Sequence, residues 1–202
     1  DVEAVDGTIG ARGFTLSWRM PTGNRSEGLI HYRLLYTTGS VSSDLIIPVQ
    51  DTCSAGCTYA VSGFTPATSY DVRLQAENTL GPSVPSTGIT VATISTKPDQ
   101  IDVASVDVQT ALTRTPPATS YDTLLVSWTT PPSNGQALTK YVVTACEGDG
   151  GCQTFDAAAD ATEKEIQLAQ GRNYTVAVEA ENGAGLSEPT LFPETVTTPD
   201  VP

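Results

Sequence analysis

The chain has 202 residues, 39% of them apolar, with ten Lys and Arg against 23 Asp and Glu and a net charge of -13. The basic residues are scattered singly, which argues against nucleic acid and anionic membranes, because affinity for nucleic acid depends on clustered cations releasing counterions. No apolar run approaches the ~18 residues of a membrane span, so no direct membrane insertion is expected from these residues.

The dominant periodicity is two. "FTLSW" puts Phe14, Leu16 and Trp18 on one face, and "IHYRLLY" alternates Ile30, Tyr32, Leu34 and Tyr36. "SYDVRLQAEN" sets Tyr70, Val72, Leu74 and Ala76 against Asp71, Arg73, Gln75 and Glu77, the pattern of a half-buried strand. The pattern then returns. "LLVSW" aligns Leu124, Val126 and Trp128, "KYVVTAC" aligns Tyr141, Val143 and Ala145, and "NYTVAVEAEN" aligns Tyr174, Val176, Val178 and Ala180. Turn signals such as "PTGN", "TPAT", "NTLG", "PPSNG", "EGDGG" and "NGAG" separate the runs. "DAAADATEKEIQLAQ" favours helix by propensity, but it lacks a clean apolar stripe and falls where the repeat requires a strand.

The halves match element by element. Trp18 aligns with Trp128, Tyr32 with Tyr141, Tyr70 with Tyr174 and Asn78 with Asn182. "QAENTLGPS" from Gln75 and "EAENGAGLS" from Glu179 agree at five of nine positions. A period near 100 residues with about seven strands per copy predicts an all-β chain of two seven-stranded, immunoglobulin-like β-sandwiches in tandem. The expected domains are 1–95 and 96–202. The linker falls at about 95–100, and within the C-terminal "TTPDVP" residues 199–202 read as the start of a following linker.

These residues resemble fibronectin type III domains, twice. "LSW" and "VSW" stand in the second strand with Pro a few residues on, and "FTPATSYDVRLQAENTLGPS" resembles the family's E–F corner and F strand along its length. "GRNYTVAVEAENGAGLS" resembles it from Asn173 onward but lacks the Thr-Pro before the tyrosine. Trp18 and Trp128 are then expected to fill the gap between sheets, with Tyr32 and Tyr141 also in the core. Tyr70 and Tyr174 would bond their hydroxyls back to upstream backbone as tyrosine corners. Asn78 and Gly81 suit a tight F–G turn, because both tolerate left-handed backbone. Neither F–G loop carries Arg-Gly-Asp, and no Trp-Ser-x-Trp-Ser precedes the last strand. "QTALTRTPPATSYDT", rich in Thr and Pro, is expected as an exposed A–B excursion suited to O-linked sugar.

The cysteines fall in two close pairs, Cys53/Cys57 and Cys146/Cys152, expected as disulfides within each half. "CSAGC" and "CEGDGGC" lack zinc spacing, and His31 is the single histidine, so no metal site is expected. Asn24 and Asn173 head N-glycosylation sequons. No catalytic constellation and no cofactor site is expected. The family resemblance implies a non-catalytic, extracellular or cell-surface spacer and interaction module of a larger adhesion, recognition or assembly protein. Its partners would be proteins, neighbouring domains of the same chain among them. Accessory domains of a secreted polysaccharide-degrading enzyme and part of a receptor ectodomain remain open alternatives.

Overall fold

Residues 2–21, 28–49, 53, 56–110, 121–148 and 150–199 are described by a computed structural model. Alternating sequences become strands because each buries one face and leaves the other in water. The first unit, Asp1–Ser95, contains β1 (Val2–Ala4), β2 (Gly13–Trp18), β3 (Leu29–Thr38), β4 (Val41–Pro48), β5 (Cys57–Ser62), β6 (Ser69–Asn78), β7 (Gly81–Pro82) and β8 (Ile89–Ala92). The second, Thr96–Pro202, contains β9 (Asp107–Thr110), β10 (Tyr121–Ser127), β11 (Leu138–Glu147), β12 (Gly151–Ala158), β13 (Glu163–Ala169), β14 (Asn173–Asn182), β15 (Gly185–Leu186), β16 (Thr190–Leu191) and β17 (Val196–Thr197).

Each unit is a sandwich of two antiparallel sheets. In the first, the order β1-β2-β5 faces β4-β3-β6-β7, with β8 also on β6. In the second, β13-β10-β9 faces β12-β11-β14-β15, with β16 and β17 also on β14. Counting the short last pieces as one interrupted strand gives seven strands per unit. The helix-favouring stretch "EKEIQLA" is β13, with Ile166 and Leu168 buried. Packing of two inward residues against the opposite sheet overrides the local propensity.

Each unit has its own core. Trp18 lies edge-on to Tyr32 at 5.0 Å between ring centres, and Trp128 packs on Tyr141 at the same 5.0 Å. Phe64 joins Phe14, Tyr36 and Tyr70 in one aromatic cluster at 4.7, 5.1 and 4.9 Å. Of the Thr- and Pro-rich stretch expected as an A–B excursion, Gln109 and Thr110 end β9 and Tyr121–Thr123 open β10, so its ends are strand; positions 111–120 lie outside the described residues, as does Asn24.

The last strand is interrupted because its sequence forbids a regular ladder. Pro82 and Pro85 have no N–H to donate. The Ser83 and Ser86 amides still reach the carbonyls of Ala76 and Leu74 at 2.8 Å each. In return the Ala76 and Leu74 amides donate to the hydroxyls of Ser83 and Ser86, at 3.1 and 3.0 Å. A side-chain oxygen thus stands where a ladder carbonyl would be. Ser187 repeats the exchange with Ala180, at 2.8 and 3.1 Å. The repeated serine of "NTLGPS" and "NGAGLS" therefore serves the edge of the sheet.

The turn uses its two residues differently. Gly81 and Gly185 take left-handed backbone, with φ of 118° and 121°. Asn78 does not; it ends β6, and its side-chain oxygen accepts from the Leu80 amide at 2.9 Å. Asn182 does the same for Ala184 at 2.8 Å. An Asx turn satisfies an amide without positive φ, so asparagine is selected here for its oxygen. Among the described residues, the non-glycine left-handed positions are Ala67 and Asn134.

Candidate interaction surfaces

The tyrosine corners form, but unequally. The Thr65 amide donates to the Tyr70 hydroxyl at 2.9 Å, whereas the Tyr174 hydroxyl donates to the Ala169 carbonyl at 3.4 Å. Burial pushes the Tyr174 phenol up from its ordinary pKa, and the nearby Glu147 charge adds to this. Beside each corner lies a residue that sequence reading missed. The Thr93 hydroxyl donates to the Thr65 carbonyl at 2.7 Å and accepts from the Thr68 amide at 3.0 Å. The Thr198 hydroxyl donates to the Ala169 carbonyl at 2.8 Å and accepts from the Arg172 amide at 3.0 Å. Both threonines are buried. The available signal was a Thr two places beyond the valine of each last strand, "VAT" and "VTT", which alternation alone does not single out.

Cys53 is joined to Cys57, at the start of β5, and Cys146 to Cys152, directly opposite each other on β11 and β12. The first pair is buried, with the Cys57 sulfur 3.9 Å from the Tyr32 hydroxyl. The second caps an exposed hairpin. Asn173 is exposed at the start of β14, where its side-chain oxygen accepts from the Thr197 hydroxyl at 2.8 Å.

The outward faces of the larger sheets carry ion pairs. Arg33 bridges Asp44 and Glu77 at 2.9 and 3.2 Å, and His31 meets Glu77 at 3.0 Å. The hydrogen bond from Arg33 holds the Glu77 carboxyl below its usual range, with partial burial opposing and His31 assisting. Lys140 joins Asp156 at 2.9 Å and Glu181 at 3.6 Å, which raises its pKa. Among the described residues no group of three or more His, Cys, Asp or Glu is arranged to hold a metal ion, and no helix is long and apolar enough to cross a membrane.

The most extensively built surface feature is the segment that leads into β9. The Thr96 amide donates to the Asn134 carbonyl at 3.2 Å, and the Asp99 amide to Pro132 at 3.0 Å. Asn134 returns bonds from its side-chain amide to the Lys97 carbonyl and the Asp99 carboxylate, at 2.8 and 2.9 Å. Buried Asn182 donates to the carbonyls of Thr96 and Ser133 at 2.9 Å each. On the other side Gln100 donates to the Pro189 carbonyl at 2.8 Å, and Thr190 to Ile101 at 2.6 Å. Lys97 pairs with Glu188; this bond, more than the charge, holds Glu188 below the ordinary carboxylate range. Neighbouring Glu179 is pushed up by burial and by the Glu188 charge, with Lys97 opposing. Ile101 anchors the segment in the core. The aligned asparagine was legible in the sequence; its grip on the preceding backbone was not.

The sequence pattern of the fibronectin type III domain matches residues 2–92 and 109–196. The chain is 30% identical over 197 residues to the cell adhesion molecule Dscam1 of Drosophila melanogaster, covering 88% of this chain and 9% of that protein. It is 27% identical over 172 residues to the fibronectin type III domain containing protein 3C1 of Mus musculus, covering 85% of this chain and 12% of that protein. The chain thus spans only about a tenth of the length of these relatives. Its fold is similar to the crystal structure of the chicken CNTN1 FN1-FN3 domains, with a TM-score of 0.54, 18% identity, and coverage of 100% of this chain and 67% of that one. Matched sandwiches, paired tyrosine corners and two successive pattern matches lead to one statement: the chain belongs to the fibronectin type III domain family, and carries two such domains in tandem.

Proposed function

We propose that the chain is a non-catalytic spacer and protein-interaction pair within a larger extracellular or cell-surface protein of the adhesion or receptor kind. One observation carries the reading. The segment leading into the second domain, Thr96–Ile101, is fastened to that domain by backbone and side-chain bonds. A segment fastened this way is part of the second domain and not a free tether. The relatives named for adhesion and for fibronectin type III content support the setting. The joined cysteine pairs support an oxidising compartment, and exposed Asn173 is available to carry an N-linked glycan there.

Inserting Gly-Ser-Gly-Ser after Thr96 in the parent protein tests the spacer role. The expected result is loss of adhesion or assembly, with both domains retaining their melting transitions. Full activity with the insertion in place would overturn the reading.

A further inference from the structure

The two cysteine pairs meet solvent very differently. Cys53 and Cys57 are buried, at 3% and 1% exposed, and the Cys57 sulfur lies 3.9 Å from the Tyr32 hydroxyl inside the first core. Cys152 is exposed and Cys146 half-buried. Along β11 the buried residues are Tyr141, Val143 and Ala145, so Cys146 stands on the other face of the strand, away from the core. Cys152 is directly opposite on β12, and only Glu147 and Gly151 are paired beyond it. β12 is an edge strand, held in its ladder by β11. The connection after Glu147 is rich in glycine, with Gly148 and Gly151 at φ of 25° and 95°. Arg172 holds the carboxylate of Glu147 at 3.0 Å, which weakens the repulsion that an incoming thiolate meets.

We propose that Cys146–Cys152 is a thiol-exchange site, a reversible redox switch that takes small thiols of the glutathione class, whereas Cys53–Cys57 is an inert structural bond. The thiolate of such a molecule attacks Sγ of the exposed Cys152. A new S–S bond forms there as the Cys146–Cys152 bond breaks, and the electron pair leaves with Cys146 as a thiolate, which takes a proton from water. A second thiolate then attacks the sulfur of the attached small molecule. The free small-molecule disulfide forms and Cys152 leaves as a thiolate, so the pair has gained the two electrons that the two small thiols have lost. The return path is built into the sheet. Lys140–Ala145 are paired with residues 153–158 of β12, and β11 is also paired along its length with β14. The opened sulfurs therefore stay opposed and reclose on an oxidised small-molecule disulfide. Opening releases the tip of the hairpin. Gly151–Gln153 is then held by ladder bonds alone, beside a glycine-rich connection, and the end of an edge strand is free to fray. The buried pair has no such local route, since a reagent reaches it only when the first core opens.

The test treats the folded 202-residue protein with reduced glutathione, quenches with an alkylating reagent and maps the four cysteines by mass spectrometry. Cys146 and Cys152 are expected to open at least about tenfold faster than Cys53 and Cys57, with the glutathione adduct on Cys152. Urea below the unfolding transition should leave the rate of the second pair unchanged and speed that of the first. Selective reduction should speed amide hydrogen exchange over Gly151–Gln153 by about tenfold, and oxidised glutathione should restore the slow rate. Equal rates for the two pairs, faster opening of Cys53–Cys57, or a Cys146–Cys152 rate that rises with urea in step with unfolding would overturn the proposal. So would an adduct on Cys146 in place of Cys152, or amide exchange at the hairpin tip that reduction leaves unchanged.

Discussion

Thr93 and Thr198 each tie two backbone groups to the end of the last strand. Replacing either by Val removes the hydroxyl's bonds to a part-buried carbonyl and amide, with the Tyr174 hydroxyl still reaching the Ala169 carbonyl in the second domain, a loss of about 1–3 kcal/mol for each substitution. Chemical denaturation of Thr93→Val and Thr198→Val should therefore show the first and second domains weakened separately. At the corners themselves the asymmetry is informative. Tyr70→Phe removes a 2.9 Å bond and Tyr174→Phe a 3.4 Å one. The first change is expected to cost about 1 kcal/mol and the second measurably less. Glu77 supplies a pH signature. Its folded pKa is lowered by the Arg33 hydrogen bond, so its contribution is present above the unfolded carboxylate range and lost as pH falls through the folded value. Glu77→Gln should lower first-domain stability near neutrality and flatten its acid dependence below about pH 4, read from melting curves across pH.

At the scale of elements, the two cysteine pairs sit where they reinforce different things. Cys53–Cys57 fixes the approach to β5 against the core, and Cys146–Cys152 closes the β11–β12 hairpin. Short loops of this kind are worth about 2 kcal/mol in the chain-entropy account. Replacing both cysteines of a pair by Ser should lower only the domain that holds it, and mapping without reduction should find no free thiol. Strands were legible because alternation is a direct consequence of one buried and one wet face, as in Tyr70–Ala76. The hydroxyl insertions at Ser83 and Ser86 were not, because they depend on which amides across the ladder, those of Ala76 and Leu74, meet a hydroxyl of the interrupted strand in place of a carbonyl. Asn78 was read for its backbone tolerance, whereas its oxygen turned out to matter. Asn182 was seen as an aligned turn residue; its bonds to Thr96 and Ser133 join segments far apart in sequence, which no local pattern encodes.

For the whole molecule, the repeat made the tandem plan readable from aligned tryptophans and tyrosines, while the docked lead-in segment emerged only from coordinates. That segment has a mechanical consequence. The contacts Lys97–Glu188, Gln100–Pro189 and Ile101–Thr190 climb both stretches in the same direction. A pull that enters at Thr96 and leaves beyond Thr198 would slide these two stretches past each other, loading the contacts together; in a zipper they would open one after another. Resistance to stretching is a rate, set by how many contacts must fail at once before the domain opens. Glu188→Ala and Thr190→Val should each lower the force at which the second domain first yields in single-molecule pulling. Neither should change the yield of the first domain. A lead-in that is fastened along its length thus acts as a brake on extension of this domain.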